Sequence, residues 1–259
     1  MHRLLLPLAA VALLVGCDSV SEPASEPAPP PAAAFALDAD LLDNGARLAA
    51  GEHFLNAAGR YVVVSAVIGV NLAIPAAVTA EATRAEPFVE DGTWIWERTS
   101  RIDASDVTFR LEGTPDGQTV DWRLRIVAVD GETGRIEEDL DLYTATTSLD
   151  GRRGDWRLHY VIDGAPTTVL AADFEVRAED DREVTFRVPE GRDAGGSSVL
   201  YRVDGPSQVF DWLRQPEDVR TRVEWDRETL VGFLEADDYN DGARSCWDAD
   251  LDDAACPNA

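Results

Sequence analysis

From residue 93 onward the chain alternates. In "SDVTFRLEG" the apolar Val107, Phe109 and Leu111 interleave with Thr108, Arg110 and Glu112, the period of two expected of a strand with one buried face. "TVDWRLRIVAVDG" repeats the pattern: Val120, Trp122, Leu124, Ile126 and Ala128 fall on one side, with Asp121, Arg123 and Arg125 opposite. Similar runs follow at Trp156, Leu158, Tyr160 and Ile162, at Phe174 and Val176, at Val184, Phe186 and Val188, at Val199, Tyr201 and Val203, at Val223 and Trp225, and from Leu230 to Leu234. Asp130-Gly131, Asp150-Gly151, Asp163-Gly164 and Gly195-Gly196 punctuate them as turns. About ten strands with short gaps predict sequential antiparallel pairing. Trp122 and Trp156 sit in echoing segments, "VDWRLRIVAVDG" and "GDWRLHYVIDG", and are expected to face one core.

Before residue 93 the pattern is different. The segment opening at Phe35 offers Leu41, Leu42, Leu48, Phe54 and Leu55 as a helical stripe, broken near Gly45 and Gly51. Residues 61–80 read two ways, since the alanines permit a buried helix while Val62, Val63, Val64 and Pro75 suggest strand or a break. Ser65 and Asn71 interrupt this apolar run, which reads as a buried element rather than a membrane span. Residues 207–215, "SQVFDWLRQ", predict a short helix capped by Ser207 and stopped by Pro216. A sheet of this size must hide its apolar face, and residues 37–85 are the candidate cover. The expected fold is therefore mainly β (α+β): a large curved antiparallel meander covered by an N-terminal helical segment. The alternative is an all-β sandwich in which residues 61–74 contribute strands.

The order of elements, a curved antiparallel sheet over helices, resembles the periplasmic lipoprotein carriers of the LolA and LolB families. That resemblance implies a carrier or sensor of apolar ligands, with a cavity between sheet and cover. No residue motif of those carriers is present.

The first forty residues add nothing to a core. Residues 1–16 carry Arg3 and a short apolar stretch from Leu4 to Val15, which reads as a secretion signal. With "LVGC" at its end, this leader resembles the signal peptide and lipobox of bacterial lipoproteins. The resemblance implies a lipidated Cys17 as first residue of the mature chain, acylated for example with palmitate, and a cell-envelope location. Several acyl chains hold a membrane firmly where one holds it marginally. In enterobacterial lipoproteins an aspartate after that cysteine favours inner-membrane retention; Asp18 occupies the position, and the choice between inner and outer membrane stays open. Residues 17–35, proline-rich from Pro23 to Pro31, read as an extended tether, leaving 36–259 as one domain.

Charge narrows the partners. Forty-nine acidic residues stand against 23 basic ones, all arginine, for a net charge of -26. Such a surface repels phosphate backbones, which excludes nucleic acid. The membrane through its anchor, and an envelope protein or glycan, are the expected partners. Seven tryptophans invite a carbohydrate-platform reading, but most fall at inward strand positions.

The C-terminal tail holds the remaining candidates. Cys246 and Cys256 form the available pair once Cys17 is lipidated, and an exported chain keeps disulfides. Asp248, Asp250 and Asp252 alternate as calcium ligands do, but Asp253 stands where a calcium loop has glycine and no glutamate follows. They read first as a solvated acidic surface, with calcium the weaker alternative and no other cofactor expected. Trp247, beside Cys246, is either a plug beneath the disulfide or an exposed aromatic contact. With His2 in the leader and His53 and His159 apart in sequence, there is no histidine and cysteine cluster for zinc. No nucleophile elbow occurs, and a lysine-dependent phosphate loop is impossible. The expected role is a non-enzymatic interaction or structural module, with the apolar-ligand carrier as alternative.

Overall fold

The computed structural model describes residues 25–35, 37, 50–103 and 105–257. Fourteen strands form one sheet whose spatial order is the sequence order, each pairing antiparallel with the next. They are β1 Phe88–Glu90, β2 Thr93–Ile102, β3 Ser105–Asp116, β4 Thr119–Asp130, β5 Ile136–Ser148, β6 Arg153–Ile162 and β7 Ala165–Ala178. The second half is β8 Asp181–Arg187, β9 Ser198–Asp204, β10 Ser207–Arg214, β11 Val219–Asp226, β12 Gly232–Ala236, β13 Ser245–Trp247 and β14 Asp253–Ala254. The predicted meander with its helical cover is the observed architecture. Residues 61–74 add no strand, so the sandwich alternative is not found.

The cover is one helix, α1, Glu52–Ala82. The ambiguous run 61–80 is helical because its period of buried positions is set by the sheet below: Tyr61, Val64, Ile68, Leu72, Pro75 and Val78 are all buried. The β-branched run 62–64 has weak helix propensity, which tertiary packing overrides. Pro75 leaves the carbonyl of Asn71 without its helical donor, and the Tyr160 hydroxyl of β6 donates to that oxygen at 3.4 Å. At the other end Gly51 offers no side-chain cap. Asp253 of β14 caps instead, its Oδ1 accepting from the His53 amide at 2.9 Å. A Cβ on Gly51 would meet Asp253 at 2.4 Å, so only glycine admits this approach.

α1 crosses nearly the whole sheet. Phe54 packs edge-on against Trp247 of β13 with centroids 5.7 Å apart. Tyr61 meets Phe210 of β10 and Trp225 of β11, each at 5.4 Å. Glu81 pairs with Arg98 of β2 at 2.9 Å. From Phe54 to Glu81 the helix rises about 40 Å, whereas the eleven spacings from β2 to β13 would measure about 53 Å if flat. The sheet therefore bows toward the helix.

The inner face of the bow holds Trp122, Trp156, Tyr143, Tyr201, Phe186 and Phe210, each nearly or fully buried. Trp122 and Trp156 share this core as their echo implied. Outward positions carry cross-strand ion pairs, among them Arg123 with Asp141, Arg125 with Asp139 and Arg202 with Glu183. Exposed pairs of this kind add little stability each, but they keep the convex face polar.

One expectation changes. Residues 207–214 are strand β10, not a short helix, because they pair along their length with both β9 and β11. β5 carries no clean alternation: a register shift opposite Leu124 and Arg125 puts Leu142 and Tyr143 inward in succession. In the proline-rich segment Pro27, Pro30 and Ala34 are buried, and the Ala34 carbonyl accepts from Trp156 Nε1 at 3.2 Å. The predicted stripe residues Leu41, Leu42 and Leu48 lie outside the described residues.

Tyr61 is the contact that ties α1 to three strands. Tyr61→Ala is expected to lower unfolding stability by about 3–5 kcal/mol in denaturant titration. A loss below about 1 kcal/mol would show that this ring does not hold the helix to the sheet.

Candidate functional site

Among the described residues, nothing packs against the outer side of α1. On one flank, the space between the helix and β7 to β10 forms a cleft of about 410 Å³. Val63, Val67 and Ile68 form its helical wall, and Leu170, Phe186, Val199 and Trp212 its floor. The floor is apolar because these are inward strand positions: Leu170, Phe186 and Val199 belong to the buried core and Trp212 is half-buried beside them. The far wall comes from two loops: Ser197 Oγ accepts from the Gln215 amide at 2.9 Å, and the Val188 amide donates to the Ser197 carbonyl at 2.9 Å.

Charge lies at the rim, where all but the exposed Asp193 is ion-paired. Arg187 pairs with Asp173, and Arg214 reaches Asp238 at 3.2 Å while its guanidinium lies 5.5 Å from the Trp212 ring centre. Arg60 joins the same Asp238 at 2.7 Å. A shallower recess continues the cleft along Leu55, Gly59 and Val63. The arrangement suits an apolar ligand: an oily floor with charge kept to the edge, where most of it is paired and Asp193 stays in solvent.

The tail is a structural clamp. Cys246 and Cys256 are joined by a disulfide, as expected of the two cysteines left once Cys17 is set aside. Trp247 is the plug and not an exposed contact: it is 1% exposed and donates from Nε1 to the Leu230 carbonyl at 2.7 Å. Asp248, Asp250 and Asp252 do not converge as calcium ligands. Asp248 Oδ1 instead accepts from the Asp250 and Asp252 amides at 2.9 and 3.1 Å, which makes a turn. Among the described residues no group of three or more histidine, cysteine or acidic side chains is placed to hold a metal ion. Cys17 lies outside the described residues.

The histidines serve the framework. His53 Nδ1 lies 2.8 Å from the Tyr239 hydroxyl. His159 stands between Thr144 and Thr168, at 3.0 and 3.2 Å. Burial pushes the His159 imidazole below its ordinary pKa, with Arg157 adding to the shift and Asp141 partly opposing it. Five of the tryptophans, Trp96, Trp122, Trp156, Trp225 and Trp247, are buried, which removes the carbohydrate platform they suggested.

Sequence patterning found the floor residues Phe186 and Val199 only as inward strand positions, did not single out Leu170, and assigned Trp212 to a helix. Nothing in their spacing distinguishes a covered inward position from an open one. Asp238 and Asp253, which hold α1 from β12's end and from β14, were visible only as acidic background. No family model, curated protein or solved structure matches the chain. The likeness to lipoprotein carriers thus rests on element order alone.

Replacing both Cys246 and Cys256 by serine is expected to cost about 2–3 kcal/mol of unfolding stability; an unchanged denaturation midpoint would show that the clamp is idle. For His159 the folded pKa lies below the unfolded one, so its contribution is complete above the ordinary histidine range and is lost as pH falls through about 6.5. His159→Gln should flatten the stability slope between about pH 7 and pH 5.5 relative to the parent, measured by thermal melting.

Proposed function

We propose that this protein is an envelope lipoprotein, anchored through Cys17, that binds apolar chain-like ligands in the cleft beside α1. The observation that carries the reading is the cleft itself, a mainly apolar hollow of about 410 Å³ whose helical wall is valine and isoleucine apart from Asn71, which donates from Nδ2 to the Val67 carbonyl at 2.8 Å. Its volume falls within the range of small-molecule sites. A closed core would have favoured an interaction module for protein or glycan, and the tryptophans that would have served a glycan are mostly spent on packing.

The energetics suit a hydrocarbon chain. Sequestering about ten methylenes at about 0.8 kcal/mol each gives about 8 kcal/mol before ordering costs, so affinities in the micromolar range or weaker follow. The paired rim charges supply specificity for little beyond the apolar character of the chain. The lipobox resemblance of residues 1–17 supports placement at a membrane, where such ligands are abundant.

The test is titration with a fluorescent medium-chain fatty acyl probe, alongside mass spectrometry of lipids retained by protein extracted from its own membranes. Val67→Arg, which puts a charge into the helical wall at a residue 60% exposed, should weaken probe binding by at least about tenfold while leaving the melting temperature unchanged. Equal binding by parent and variant, with no retained lipid, would overturn the proposal. An acyl mass on the peptide containing Cys17 is expected in the same spectra, and its absence would remove the anchor.

A further inference from the structure

α1 is largely apolar around its circumference, yet among the described residues only its inner face is covered. No charged residue occurs from 61 to 80, and the nearest charges, Arg60 and Glu81, are held by Asp238 and Arg98. The outward side presents Val63, Val67, Val70 and Ile74, one stripe at helical spacing, with Val70 74% exposed and Ile74 53% exposed. By length and composition the helix would pass for a membrane span. A helix hydrophobic all round is ordinarily surrounded by apolar material, and a stripe of this length left in water marks a contact surface. Val70, Ile74 and Ala77 lie beyond the cleft, so a ligand there does not account for them.

We infer that this stripe docks flat on the surface of a zwitterionic phospholipid bilayer. Two observations select that occupant. The first is charge: a second copy brings the same net -26, and an anionic surface is repelled likewise, whereas an uncharged stripe meets no penalty at a neutral lipid interface. The second is the leash. Only seven residues separate Cys17 from Ser25, and the eight steps between them reach at most about 28 Å when fully extended. The chain then runs past the Gly151 turn and reaches the helix-bearing side of the sheet, where Ala34 is buried in the same core as α1. An acylated Cys17 therefore keeps a bilayer near the face that carries the stripe. Lying in the interface, the helix would bury its outward side about 5–10 Å deep, with the acidic convex face turned to water. The inference rests on the anchorage proposed above and not on occupancy of the cleft.

The test uses protein extracted from its own membranes and reconstituted into phosphatidylcholine vesicles that contain a diazirine-bearing acyl chain. Arg60 and Arg84 bracket the stripe, so trypsin releases residues 61–84 as one peptide. After irradiation, adducts are expected on Val70, Ile74 and Ala77, at least about tenfold above peptides of the convex face. The pair Val70→Glu and Ile74→Glu should abolish them with melting temperature and acyl mass unchanged. Adducts confined to Val63, Val67 and Ile68 would place a lipid in the cleft without docking, which overturns this inference and leaves the ligand reading intact. Absence of adducts on the peptide, or crosslinks joining the stripes of two copies, would also overturn it. Should Cys17 carry no acyl chain, the same labelling on added vesicles decides the matter: adducts at Val70 to Ala77 sustain docking, and none refutes it.

Discussion

One apolar sheet face and one helix to cover it set the terms of this structure. Fourteen strands in sequence order make an open sheet, and an open sheet has an inner face as wide as the sheet itself. A single helix spans that width only if it is long and the sheet bends toward it. Both conditions hold: α1 runs 31 residues and touches strands from β2 to β14. The large rings contributed from below, with Tyr61 set among Tyr201, Phe210 and Trp225, fill the space that a second helix would otherwise occupy.

Each weakness of α1 is met by the sheet. The uncapped start receives Asp253, and the carbonyl stranded by Pro75 receives the Tyr160 hydroxyl. Arg60 and Glu81, the charges at the ends of the apolar run, pair with Asp238 and Arg98. The disulfide and Trp247 fix the short strands β13 and β14, which carry the capping aspartate. The tail thus acts on the helix start, with Asp253 as cap and Asp248 closing a turn.

Coverage by a helix about 10 Å across leaves inner positions on its flank open, and the cleft is the result. Its floor has the chemistry of a core because it is the continuation of one. The same shortage of covering elements leaves the outward side of α1 bare. Functional surface in this protein arises where burial is incomplete, beside a convex face whose arginines and carboxylates are paired across strands.

The sequence by itself determined strands β3, β4, β6 to β9, β11 and β12, their antiparallel order and the pairing of Cys246 with Cys256. Alternation and turn residues are local signals, and neighbouring strands joined by short turns have little choice of partner. It did not determine the state of residues 61–80, where β-branched residues and alanines balance and only contact with Tyr201, Phe210 and Trp225 decides for helix. Ser207 to Arg214 looked helical alone and became strand because β9 and β11 offer hydrogen bonds along both edges. β5 was hidden by a bulge that breaks its alternation. Trp247 was left open between plug and contact because a residue's burial depends on what lies above it, here Phe54 from a distant segment. For the same reason the cleft was illegible: Phe186 and Trp156 have the same inward pattern, and only the path of α1 settles which of the two borders open space.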